Sequence, residues 1–167
     1  MGKPRTGRWG VALGSTAIAL TVTSGCSPYG FYSGTGVHDA TVAELAGTWN
    51  CIEGTQVTLR RDGTAVFQRL DGADFAFDDG WRLSGNGTWR LTDGDDGQEI
   101  RIALNDRTGI EYRTDHTRDA TSVSVPPPTT YTWDLYVDRD KDRRLWLFFF
   151  YSDPDAGNRY VLSRPRA

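Results

Sequence analysis

Beyond Gly47 the chain is a succession of short β-prone runs cut apart by turn signals, and this punctuation limits its possible folds more than anything else in it. Runs at residues 49–53, 56–60, 64–70, 87–92, 98–104, 131–137, 145–151 and 159–163, with a weaker one at 110–114, give eight or nine strands. Arg61-Asp62-Gly63 and Asp93-Gly-Asp-Asp-Gly97 stand between such runs, where glycine supplies the positive φ of tight turns. Tyr131, Trp133, Leu135 and Val137 alternate with polar or amphipathic residues, the period of a half-buried strand. Short spacings favour antiparallel neighbours in a meander. Closing such a sheet removes its unpaired edges, so the expected fold is all-β, an antiparallel up-and-down barrel. At most one short helical turn precedes it, since Thr41-Val-Ala-Glu44 reads as a capping box.

Two longer segments interrupt the rhythm. Residues 71–86 hold Phe75-Ala-Phe77 and Trp81-Arg-Leu83, apolar enough to pack. Residues 105–130 are mostly polar and contain Pro126-Pro-Pro128, which favours extended polyproline geometry.

The N-terminal region has a different character. Lys3, Arg5 and Arg8 precede an apolar stretch at residues 9–22, and the small residues Ser24 and Gly25 stand directly before Cys26. A cationic start, an apolar segment and a small-residue cleavage point make a signal peptide. The layout resembles a bacterial lipoprotein signal peptide closed by a lipobox. That resemblance implies cleavage between Gly25 and Cys26 and attachment of acyl chains, palmitate among them, to Cys26. Thr23 stands where the lipobox usually has Leu; Val22, one place earlier, supplies the apolar residue. The expected organisation is a signal peptide at 1–25, a lipid anchor and flexible tether at 26–44, and a barrel domain at 45–167. The expected location is the extracellular face of the cell membrane. The scarcity of Lys, present only at 3 and 141, is the bias of a GC-rich genome such as an actinobacterium's.

At Leu45-Ala-Gly-Thr-Trp49 a Gly-x-Trp opens the first strand, and Gly87-Thr-Trp89-Arg-Leu91 repeats it. This is similar to the opening of lipocalin-like (calycin) barrels, and small actinobacterial lipoproteins of unknown role show the same series. The resemblance implies that Trp49 plugs the closed end of the barrel. It also implies an Arg crossing over that Trp, either Arg159 or Arg164.

Chemistry is sparse. Asp138, Asp140 and Asp142 alternate as carboxylates do in a calcium loop, but Arg143 and Phe149 stand where that loop needs Gly and Glu. A solvated hairpin tip is the better reading. His116 lies between Asp115 and Asp119 without any nucleophile motif. No catalytic residue, metal site or cofactor is expected, and no basic stripe interleaved with aromatics suggests nucleic acid. Cys51 is left without a partner once Cys26 carries lipid. Leu145-Trp-Leu-Phe-Phe-Phe-Tyr151 is apolar on both faces of a strand, so both must meet something apolar. One face is core. The other, carrying Trp146, Phe148 and Phe150, is either covered by neighbouring chain or open to a partner or the bilayer. The leading functional expectation is non-catalytic binding of a small apolar or aromatic ligand inside the barrel, lined by Trp89, Trp133 and Phe149. The alternatives are a packed barrel serving as a structural or protein-interaction module at the envelope and, less favoured, a hydrolase.

Overall fold

Eight strands run around the molecule in chain order, each antiparallel to the one before it. They are β1 (Gly47–Asn50), β2 (Gln56–Leu59), β3 (Thr64–Asp71), β4 (Trp81–Gly94), β5 (Gly97–Tyr112), β6 (Thr132–Arg139), β7 (Leu145–Phe150) and β8 (Arg159–Leu162). The structure is a computed structural model and describes Gly2 and residues 32–51, 53–114 and 126–165. Apart from Gly2, the leader, including Gly25, lies outside the described residues, as do Cys26 and His116.

The sheet curls until its ends meet. Asn50 and Ser163 form one antiparallel bridge, exchanging N–H···O bonds of 2.8 and 2.9 Å, and the result is a nearly closed barrel. Inward positions alternate as expected: Trp133, Leu135 and Val137 are buried on β6, and Val57 and Leu59 on β2. The Arg61-Asp62-Gly63 turn joins β2 to β3, with Asp62 accepting from the Thr64 amide at 2.9 Å.

The capping box forms as read. Thr41 Oγ1 accepts from the Glu44 amide at 3.2 Å, and Glu44 Oε2 accepts from the Thr41 amide at 3.0 Å. It starts a single helical turn, α1 (Val42–Leu45), whose Leu45 is buried beneath the barrel.

The long segments contain more strand than the sequence suggested. Residues 110–114, read as a separate strand, are for the most part the end of β5, and Trp81-Arg-Leu83 begins β4. These two strands are long enough to bend, and register shifts at Ser84/Gly85 and Asn86/Gly87 mark the bends. A side chain on Gly87 would put its Cβ 2.0 Å from the Ala103 carbonyl oxygen, so only glycine permits that approach. Such bulges interrupt the two-residue period, which is why the pattern faded there. Of the apolar pieces in 71–86, Trp81, Leu83 and Phe77 pack, but Phe75 is 82 % exposed on a 3-10 turn.

The segment expected to be a flexible tether is docked over its described part. Residues 32–40 lie along the barrel wall. Gln98 donates its backbone N–H to the Val37 carbonyl and its side-chain amide bonds both backbone groups of Ala40. His38 Nδ1 stands 2.7 Å from Asp93, and Asp39 pairs with Arg139 and Arg143. Polar side chains at the tip of the β4–β5 hairpin thus capture a stretch whose composition alone reads as linker.

Candidate functional site

The two ends of the meander meet at one mouth of the barrel. Trp49 is fully buried and donates its indole N–H to the Leu45 carbonyl at 2.9 Å. The Arg164 guanidinium lies 4.8 Å from the Trp49 ring and donates to the carbonyls of Glu44 and Ala46. The choice left open by the sequence is therefore resolved in favour of Arg164. Arg159 turns to the outer surface instead, 4.6 Å from the centre of the Phe148 ring.

The barrel interior is occupied by its own side chains. Trp133 packs edge-on against Phe67 and Tyr131, and Phe149 stacks on Tyr160 with ring centres 4.6 Å apart. Trp89 sits nearer a mouth, its indole N–H donating to the Arg60 carbonyl at 2.7 Å. Exposures of 0 % for Trp133 and 1 % for Phe149 leave no water-sized space beside those rings. The three aromatics expected to line a pocket are thus core side chains. They do not line either of two clefts on the outside among the described residues.

The opposite mouth is organised by Asp71, which is fully buried. Its carboxylate accepts from Arg82 Nε at 3.1 Å and from the Tyr160 hydroxyl at 2.8 Å, with Arg113 Nη1 at 3.4 Å. Its carbonyl accepts the Trp133 indole N–H at 2.7 Å. The Thr55 hydroxyl lies within hydrogen-bond reach of both the Tyr160 hydroxyl and the Arg69 carbonyl. Burial, with Asp71 beside it, pushes the Tyr160 phenol far above its ordinary range, so it stays a neutral donor. Arg113 also lies face-on to Phe77, 3.5 Å from the ring centre. The partners of Asp71 come from β4, β6 and β8 and from Arg113 just past the end of β5, so the cluster ties β3, β4, β6 and β8 together. Both Asp71 carboxylate oxygens are engaged, which makes the cluster a strut. Nothing in the local sequence distinguished Asp71 from a turn aspartate.

On the outer wall, the patch expected from Trp146, Phe148 and Phe150 is not open. Phe148 and Phe150 are buried and Trp146 is half-buried. Tyr32, from the docked segment, packs on Phe150 and Tyr136 at ring distances of 4.8 and 5.2 Å. Trp146, Phe148 and Tyr136 form stacked pairs beneath it. Of the two readings of this strand, cover by neighbouring chain is the one observed.

The two clefts have volumes of about 570 and 520 Å³. The larger lies beside α1 and the β6–β7 hairpin and is lined by Arg139, Arg143, Arg144 and Arg164 together with Leu145 and Trp146. The smaller lies by the Asn50–Ser163 bridge, with Cys51, Tyr151 and Tyr160 on its wall. In the β6–β7 hairpin, Asp140 accepts from the amides of Asp142 and Arg144 at 2.9 and 2.8 Å, so this carboxylate caps its own turn. No group of His, Cys, Asp and Glu with metal-site geometry occurs among the described residues. No protein-family model, curated protein or solved structure matches the chain.

Proposed function

We propose that this chain is a lipoprotein of the bacterial cell envelope, held at the outer face of the cytoplasmic membrane through Cys26. Its lipocalin-like barrel acts as a packed, non-catalytic module for structure or protein interaction. The filling of the interior carries this reading. A small-molecule site needs a cavity of about 300 Å³ or more, whereas Trp133 and Phe149 adjoin no free volume. For that reason the packed-module reading replaces an apolar ligand inside the barrel.

Support for a lipocalin-like relationship comes from Trp49 lying under Arg164 and from the chain-order meander. Support for the anchor comes from the cationic start, the apolar run and the small residues before Cys26. Acyl chains add roughly 0.8 kcal/mol of membrane affinity per buried methylene.

Native mass spectrometry of the protein purified from its own host tests both parts. The expected result is an acyl mass that Cys26→Ala abolishes, and a barrel with no bound small molecule. A stoichiometric non-covalent apolar ligand would overturn the packed module. Wild-type protein without acyl mass would overturn the anchor.

A further inference from the structure

The larger outer cleft is built unlike the rest of the surface. Four guanidinium groups line it, while its two lining carboxylates, Glu44 and Asp140, are already engaged by the capping box and by the hairpin turn. The arginines divide into two kinds. Arg139 and Arg164 are fixed: Arg139 by Asp39, Glu44 and the Arg143 carbonyl, Arg164 by the carbonyls at the end of α1. Arg143 and Arg144 stand free of such scaffolding, with side chains 76 % and 71 % exposed. Arg143 has one 3.2 Å pair with Asp39, and Arg144 one 4.0 Å pair with Asp142. Exposed pairs of this kind hold side chains only weakly, so both forks remain exchangeable.

The backbone carries a second sign. Arg143 has φ = 62°, a left-handed conformation that glycine or asparagine takes at less cost. The hairpin nonetheless places a guanidinium there, on the wall of the cleft. Leu145 and Trp146 supply an adjacent apolar wall, and the volume of about 570 Å³ lies within the range of small-ligand sites.

The geometry points to a binding site for a phosphate monoester that carries an apolar chain. Arg143 and Arg144 grip the phosphate, and Leu145 and Trp146 hold the first carbons of the chain. A planar guanidinium matches a phosphate with two parallel hydrogen bonds, and a dianion between two forks outcompetes the single exposed carboxylates now facing them. The site lies outside the barrel, so it holds whether or not the interior is packed and whether or not Cys26 is acylated.

Calorimetric titration of the full chain with hexyl phosphate, inorganic phosphate and hexanol tests the assignment. Hexyl phosphate is expected to bind saturably, about tenfold or more tighter than inorganic phosphate, and hexanol not at all. Arg144→Ala, which removes only one 4.0 Å pair, should weaken hexyl phosphate about tenfold at an unchanged melting temperature. Trp146→Leu should narrow the gap between the two phosphates while leaving inorganic phosphate binding in place. Equal binding of the two phosphates by wild type would overturn an amphiphile as the ligand. No saturable binding, or an affinity untouched by Arg144→Ala, would overturn the site.

Discussion

Tyr32 shows how one residue converts a linker into part of a fold. Its ring packs on Phe148 and Phe150, yet its hydroxyl is buried with no hydrogen-bond partner among the described residues. A buried polar group left unsatisfied costs about 1–3 kcal/mol. Tyr32→Phe keeps the ring and removes that cost, so chemical denaturation should show a gain of about 1 kcal/mol. Burial pushes the Tyr32 phenol up to about 12, against the 10.0 of a free tyrosine. Since the folded value is raised, the linked stability is complete below pH 10 and falls as pH rises towards 12. Absorbance titration of tyrosinate, with and without Tyr32→Phe, should assign a late-titrating step to this residue. Asp71 presents the opposite case, a polar group whose every bond is made. Asp71→Ala strands the buried side of Arg82 and Arg113 together and should cost about 3–5 kcal/mol in denaturant unfolding. Asp71→Ala would stay near wild type only if the cluster were not the strut its geometry indicates.

The docked segment and the two bent strands are the elements that sequence reasoning judged least well, for different reasons. Tyr131–Val137 and the turns at Asp62-Gly63 and Asp93–Gly97 were legible because period and turn chemistry are local properties. The continuation of β5 through residues 105–112 was not, because bulges at Gly85 and Gly87 break the alternation and the strand there is largely exposed. Residues 32–40 looked like linker because the contacts that hold them come from Asp93, Gln98 and Arg139, which are distant in sequence. The site was less legible still. The aromatics expected to line a pocket are core, and the cleft arginines sit in a hairpin that read only as a solvated tip. That Arg164, and not Arg159, lies over Trp49 required three dimensions. The docked segment depends on close approach at Gly34, where an added Cβ would lie 1.9 Å from the Asp96 carbonyl oxygen. Gly34→Ala should therefore lift the segment locally. Amide exchange at Gly36 and Ala40 should accelerate, with the β4–β5 pairing unaffected; unchanged exchange at both would show that the contact is dispensable.

As a whole, the molecule is a ring of unequal joints. The pairing of β4 with β5 runs from Trp81↔Tyr112 to Gly94↔Gly97, while β1 and β8 share only the Asn50–Ser163 bridge. Hydrogen exchange should follow that inequality, with the Asn50 and Ser163 amides exchanging through small local openings and the β4–β5 centre only on global unfolding. Equal protection at both places would contradict it. The same bridge has a mechanical meaning. A hoop with one thin clasp opens at the clasp when it is pulled, and this clasp lies at the end of β1, the strand that the N-terminal segment feeds. Tension along that segment would first be borne by the contacts of Tyr32, Val37 and Ala40 on β5, β6 and β7, before it reached β1 and the clasp. The docked segment then acts as a strain relief, keeping load from the one joint that two hydrogen bonds hold shut.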